Sequence, residues 1–240
     1  MAIVTGILCF SPTNTTRTIC EAIAKGLGDN QPRLLDMTSP GARAELLSNS
    51  ESLLVGIDHL IVGAPVYAGK LPALAVEALN GLDGNGTTCS AVVVYGGRDY
   101  GVALRRLVEM LMDSGFAVVS SGAFIGQHSY FEVVPIATGR PDEADLQAAR
   151  SFGETSYGLS ARLQPNEVPK ETDIFSISPW FFPTKPTHRT ANCRQCGTCS
   201  EHCTAGVISA ETGEYTDKKH CVGCTACVRV CPNEGRAVVP

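Results

Sequence analysis

Two short stretches hold the residues most able to do chemistry. The first is Cys193-x2-Cys196-x2-Cys199-x3-Cys203; the second is Cys221-x2-Cys224-x2-Cys227-x3-Cys231-Pro232. Cys193 and Cys221 are 28 positions apart, and each opens the same pattern. Three cysteines at steps of three let a tight loop wrap one iron–sulfur cubane, while the fourth points away and ligates the other. The spacing therefore predicts two [4Fe–4S] clusters. Cys193, Cys196, Cys199 and Cys231 would hold one, and Cys221, Cys224, Cys227 and Cys203 the other. Zinc is the alternative, but structural zinc sites use pairs of Cys or His ligands separated by a longer loop. A third cysteine three residues on, repeated in both motifs, has no use there. Gly197 and Gly223 lie inside the wraps, where backbone must approach inorganic sulfur. Thr204 follows Cys203 where the pattern usually has Pro. This is expected to alter the turn and not the ligand set.

A second group of candidate residues lies in three loops upstream. Ser11-Pro12-Thr13-Asn14-Thr15-Thr16 opens a helix, so hydroxyls and free backbone N–H groups there could bind phosphate. The same residues also read as an ordinary N-cap. The loop is neither a G-x-G-x-x-G fingerprint nor a triphosphate loop ending in Gly-Lys-Ser/Thr. The other two loops are Gly63–Pro72 and Val94–Gly101.

The elements that must position these loops alternate between strand and helix. Ala2–Phe10 is a continuous apolar run suited to a central parallel strand. Ile19, Ile23 and Leu27 form a helical stripe, and Gly26 and Gly28 mark its end. Arg33–Asp36, His59–Ala64, Cys89–Tyr95 and Phe116–Ile125 read as further strands. Helices are expected after Pro72, over Leu104–Met112, and near Asp142–Leu163. Five strands alternating with helices predict an α/β domain with a parallel sheet. In such a sheet ligands bind at the carboxyl ends of the strands. The domain is expected over 1–164, followed by a proline-rich connector over 165–190 and a small cysteine-rich domain over 191–240. The connector carries Trp180-Phe181-Phe182, which are expected to dock onto one of the domains.

Composition sets the outer bounds. The chain has 240 residues, 44% hydrophobic and 18% charged, which excludes a disordered chain. The net charge of −5 argues against nucleic-acid binding, and no apolar stretch is long enough to span a bilayer. The N-terminal apolar run has no basic lead-in, so a buried strand is expected and not a signal peptide. Only Cys9, Cys20 and Cys89 lie outside the motifs, and buried structural thiols are the expectation for them. Clustered cysteines of odd total point to a metal site in a reducing, cytoplasmic setting. The last 50 residues are too few to bury a sufficient core, so the inorganic groups must supply it.

Taken together, the chain resembles a flavodoxin-like FMN domain fused to a bacterial two-cluster ferredoxin, the flavoferredoxin (EFR-type) family. The resemblance rests on the Ser/Thr loop, "APVYAGKLP", "YGGRDYG", "GQHSY" at Gly126–Tyr130, and both cysteine motifs. It implies a doubly wound five-stranded parallel sheet and a small α+β ferredoxin domain. It also implies that Ser11, Thr13, Asn14, Thr15 and Thr16 hold the FMN phosphate. Asn14 stands where flavodoxins often have Gly, and Asn tolerates left-handed backbone. Pro65, Val66, Tyr67, Ala68, Gly69 and Lys70 would border one side of the isoalloxazine ring. Tyr95, Gly96, Gly97, Arg98, Asp99 and Tyr100 would border the other. Tyr67 and Tyr100 are ring stackers or half-buried loop aromatics. Lys70 and Arg98 stabilise the anionic reduced flavin or are solvated charges. His128 faces the flavin or a partner, or is a satisfied structural histidine.

The implied function is electron transfer between FMN and the two clusters, coupling two-electron to one-electron redox partners. Two other functions compete with it. One is an NAD(P)H- or substrate-dependent FMN reductase with the clusters as outlet, although no nicotinamide domain is visible. The other is a structural iron–sulfur module without bound flavin. Each oxidised cluster with its thiolates adds about −2, as does the phosphate. A redox protein with a basic docking patch, associating in a salt-sensitive way, is the expected partner. A homodimer is a further candidate assembly. Exposed cubanes make an anaerobic host the expectation.

Overall fold

A computed structural model describes residues 3–133, 135–159 and 187–238. Strand β1 (Thr5–Cys9) is buried at every position. The order continues α1 (Thr15–Gly26), β2 (Arg33–Asp36), α2 (Pro40–Ser48), α3 (Ser50–Leu53), β3 (His59–Pro65), α4 (Ala73–Asn80), β4 (Thr88–Tyr95), α5 (Ala103–Asp113), β5 (Ala117–Ile125) and α6 (Glu143–Ser156). All five strands pair parallel, in the order β2-β1-β3-β4-β5. This is the flavodoxin-like doubly wound order, and its switch point lies between β1 and β3.

Period-two alternation splits the core between the two faces of the sheet. Leu8, Leu60, Val62, Ala91 and Val93 face one side, packed with Leu46, Leu79, Leu104 and Leu107. Ile7, Cys9, Ile61, Val92 and Val94 face the other, packed with Ile19, Ile23 and Ala149. Cys9, Cys20 and Cys89 are fully buried in these layers, and burial pushes the Cys9 and Cys89 thiols up to about 12. They are structural thiols, as expected.

Some elements differ from the sequence reading. Helices α2 and α3 fill the β2–β3 connection, where no helix is legible because α2 buries only Leu46. Helix α6 ends at Ser156, short of the expected Leu163, and Gly158 then turns left-handed at φ 79°. The expected docking of Trp180-Phe181-Phe182 lies outside the described residues, as do connector positions 165–186.

Away from the loops, His59 stands at the amino ends of the strands. Its ring nitrogens lie 3.1 Å from Thr88 Oγ1 and 2.8 Å from Ser90 Oγ. Ser90 continues the network to Ser120, which accepts from Ser156 of α6. Burial lowers the His59 pKa to about 4. The unfolded chain therefore takes up the proton first, near pH 6.5. The stability contributed by neutral His59 is complete above that value and is lost as pH falls towards 4. We expect a loss of about 2 kcal/mol between about pH 7 and pH 5, growing to about 3 kcal/mol near pH 4. Urea unfolding across this range checks it, and His59→Asn should flatten the dependence.

The C-terminal module repeats its own geometry. Strands β6 (His188–Arg189) and β7 (Arg236–Ala237) pair antiparallel. Helices α7 (Thr198–Glu201) and α8 (Ala226–Arg229) lie 28 positions apart, like the cysteine motifs. Gln195 and Gly197 are left-handed in the first wrap, and Gly223 and Thr225 are left-handed in the second. The turn that bends chain around each set of thiols is thus the same turn twice.

Candidate functional site

The first three loops sit together because β1, β3 and β4 are neighbours in a parallel sheet and end on the same edge. Asn14 adopts φ 63°, the left-handed turn expected of it, and its side chain does not cap α1. Ser11 Oγ accepts from the Arg17 N–H, and the Ser11 N–H donates to Thr38 Oγ1. Thr13 and Thr15 hydroxyls lie 3.2 Å apart. Thr16 is buried, with its methyl group beneath Gly63.

In the second loop Tyr67 and Lys70 exchange backbone hydrogen bonds of 2.9 and 3.1 Å around Ala68 and Gly69. Both central residues have positive φ, 51° and 73°, as a type I′ turn requires. Ala68 holds this conformation at a cost of about 1 kcal/mol. The third loop meets the second where the Val102 N–H donates to Gly69 O. A Cβ on Gly101 would lie 2.5 Å from that oxygen, so only glycine allows the approach. Asp99 shapes the same loop by accepting from the Gly101 N–H. Tyr95 and Tyr100 pack edge to face at 5.7 Å. Lys70 and Arg98 are exposed.

A fourth loop follows β5, and its part is larger than its sequence suggests. Gly126 lies against Thr15 and Val94, and His128 packs on Gly96. The His128 Nδ1 accepts from the Tyr130 N–H, which holds the ring against the third loop. Burial, then the Arg98 charge, lowers its pKa. The loop also touches the cysteine-rich module: Thr225 Oγ1 donates to Ser129 O at 2.8 Å, and Arg229 donates to His128 O at 3.4 Å. A further tie runs from Arg43 of α2 to Thr204 O at 2.7 Å.

Four thiols line each of two concavities in the module. Cys203, Cys221, Cys224 and Cys227 border one of about 330 Å³, open mouth included. Cys193, Cys196, Cys199 and Cys231 border the other, of about 370 Å³. The fourth cysteine of each motif thus lies with the three of the other, as its spacing predicts. Val207 N–H donates to Cys203 Sγ and Gly235 N–H to Cys231 Sγ, another pair 28 positions apart. Thr204 is buried with its hydroxyl 3.6 Å from Cys224 Sγ, a contact proline could not make. Burial pushes the Cys224 thiol up to about 11, whereas the Thr198 hydroxyl lowers that of exposed Cys196.

The two concavities differ in their relation to the sheet. The one holding Cys193 is lined only by residues from 193 to 236. The one holding Cys224 is lined only by residues from 187 to 227, but two of these, Thr204 and Thr225, carry hydrogen bonds to the α/β domain. Burial, the neighbouring Cys224 and Tyr130 raise the Tyr67 hydroxyl well above its usual pKa, against the lowering effects of Ser129 and Arg229. Burial pushes Tyr130 up to about 12, with Cys221 and Cys224 adding to it. The Tyr130 hydroxyl is buried without a hydrogen-bond partner among the described residues. Both tyrosines of "VYAG" and "QHSY" therefore feel the charge of the second motif's thiols. The sequence signal for this was the "GQHSY" stretch itself, whose role only its neighbours reveal.

Residues 192–236 match the family described as "4Fe-4S dicluster domain". No curated protein matches the chain. Among solved structures it is similar to flavodoxin 2 from Bacillus cereus, with 18% identity over 64% of this chain and 97% of that one, at TM-score 0.46. It is also similar to an archaeal flavodoxin, with 17% identity over 64% and 96%, at TM-score 0.43. Rubredoxin oxygen:oxidoreductase from Desulfovibrio gigas gives 16% over 64% and 34%, at TM-score 0.45. The strand order and the dicluster match together define the molecule: a flavodoxin-like α/β domain joined to a C-terminal 4Fe-4S ferredoxin-type segment.

Proposed function

We propose that the chain is an electron-transfer protein that passes electrons between FMN, at the loop ends of β1, β3 and β4, and two [4Fe–4S] clusters. The division into 1–164, 165–190 and 191–240 belongs to the same reading. Bound FMN takes two electrons together and releases them singly, and each cluster carries one. The observation that carries the proposal is the shared border. Thr225, next to Cys224, donates to Ser129 O of the fourth loop at 2.8 Å, and Arg229 donates to His128 O at 3.4 Å.

The residues present fit both groups. Ser11 to Thr16 suit a phosphate, because the Asn14 side chain does not cap α1 and Ser11 Oγ takes only the Arg17 N–H. Pro65 to Lys70 and Tyr95 to Tyr100 would flank the ring, with the Gly69–Gly101 approach fixing the two loops against each other. Eight thiols in two sets of four, each around open space, suit two polynuclear clusters. The orphaned Tyr130 hydroxyl is a donor that a sulfur-rich anionic group would satisfy. Among the described residues no helix is long and apolar enough to cross a membrane. The acidic chain favours a redox partner with a basic face, and association should weaken with salt.

The test is anaerobic reconstitution of the full chain, followed by NADH and then NADPH while flavin absorbance is recorded. We expect no bleaching by either nucleotide, and reduction of flavin and clusters only by a strong reductant or a protein donor. Prompt bleaching by a nucleotide would make the protein an NAD(P)H-dependent FMN reductase instead. Failure to retain flavin would reduce it to an iron–sulfur module.

A further inference from the structure

Arg236 stands where the internal repeat calls for an apolar residue. The repeat offset of 28 places it opposite Ile208. Both side chains are buried, Ile208 at 5% exposure and Arg236 at 4%. The first half of the module therefore fills this position with hydrocarbon, and packing alone does not call for a cation. Burying an unpaired charge is costly, so a buried guanidinium needs negative charge nearby. Among the described residues no carboxylate lies within ion-pairing distance of Arg236. Its Nε donates to Thr187 Oγ1 at 2.8 Å, and its Nη1 donates to Gly213 O at 2.6 Å. The guanidinium lies over the Tyr215 ring, 4.6 Å from its centre.

Two of these neighbours lead to a thiol. Thr187 Oγ1 is 3.3 Å from Cys227 Sγ, and the Tyr215 hydroxyl is 3.5 Å from Cys221 Sγ. On the other side, Arg236 itself lines the concavity of Cys193, Cys196, Cys199 and Cys231. One buried cation thus stands between both sets of thiols.

We propose that Arg236 is the shared counter-charge of the two clusters and raises the reduction potential of both. This rests on the two-cluster reading above. Reduction adds one negative charge to a cluster, and a fixed positive charge a few ångströms away in low-dielectric surroundings favours that reduced state. Potentials of such clusters respond to net charge and to the groups around their sulfurs. A surface lysine would be screened by salt; this buried guanidinium is screened much less.

The experiment compares the wild-type full chain, Arg236→Gln and Arg236→Lys. Each is reconstituted anaerobically, analysed for iron, and titrated reductively with EPR detection. Arg236→Gln should shift both reduction equilibria towards the oxidised form by about tenfold, a fall of about 59 mV for one electron. Arg236→Lys should leave both within about threefold. If Arg236→Gln moves neither potential, or if Arg236→Lys moves both as far as Arg236→Gln does, the proposal is overturned. If Arg236→Gln fails to load iron while Arg236→Lys loads normally, the need for the charge is supported at assembly. If neither loads, the residue acts through its shape and the proposal falls. A wild-type chain with far fewer than about eight iron atoms overturns the two-cluster reading itself, which is a separate result.

Discussion

On the proposed two-cluster reading, replacing Cys203 by alanine is expected to remove the cluster held with Cys221, Cys224 and Cys227, and to spare the one held by the other thiols of its own motif. Cys231→Ala should do the reverse. The reason is the crossed lining: Cys203 shares a concavity with the second motif's three thiols, and Cys231 with the first's. Each variant should retain about four of about eight iron atoms. Their redox behaviour should then separate. Cys203→Ala loses the site whose lining is hydrogen-bonded to the α/β domain through Thr204 and Thr225, so its surviving cluster is the one without such ties in its lining. Electrons placed on the flavin should reach that cluster more slowly than they reach the survivor in Cys231→Ala. Iron analysis followed by rapid-mixing reduction reads both effects. Loss of the same cluster from both variants would refute the crossed pairing. Equal rates in the two would remove the site with those ties from its gateway role.

The second large effect concerns stability. Gly153 lies inside α6, where helix propensity alone favours alanine by about 0.5–1 kcal/mol. Tertiary contact reverses the sign. A Cβ at Gly153 would lie 2.2 Å from Ile23 O and 3.0 Å from Gly26 Cα, and one at Gly26 would lie 2.0 Å from Arg150 O. These are backbone atoms of α1 and α6, so no side-chain rotation relieves the overlap, and the helices must separate. Forced overpacking of this kind costs about 1–3 kcal/mol. Gly153→Ala should therefore lower stability by about 1–2 kcal/mol net, and the bulkier Gly153→Leu by more. Flavin affinity should fall too, because α1 begins at the loop proposed to hold the phosphate. Urea unfolding with flavin titration measures both, and an unchanged or raised midpoint for Gly153→Ala would refute the argument.

The acid dependence from His59 and the charge effect of Arg236 share a physical basis with these two. In each case a group is taken out of water, and its behaviour is then set by the few atoms that face it. His59 meets hydroxyls and stays neutral. Arg236 cannot lose its proton, so it needs an anion.

Much of this molecule was legible one segment at a time. Continuous apolar runs marked β1, β3 and β4 because strands in a parallel sheet are buried on both faces. The stripe Ile19, Ile23, Leu27 marked α1 through its period. The cysteine spacing contained the crossed sets of thiols, because a three-residue step limits which sulfurs one wrap can bring together. The left-handed turn at Asn14 was likewise local chemistry. Helix α2 was not legible, since it buries little and so leaves no periodic mark. Gly26 ends α1, as its sequence suggests, but it is also a helix contact, which no property of residues 16–28 discloses. Only the tertiary structure decided that Tyr67, Ser129 and Thr225 meet at one border, and that Thr204 serves Cys224 with its hydroxyl. The division has a physical origin. Strands, helices, turns and metal-binding wraps arise from sterics and periodicity within a few residues. The border between the loops and the thiols joins segments about a hundred positions apart, and only tertiary contacts bring those together.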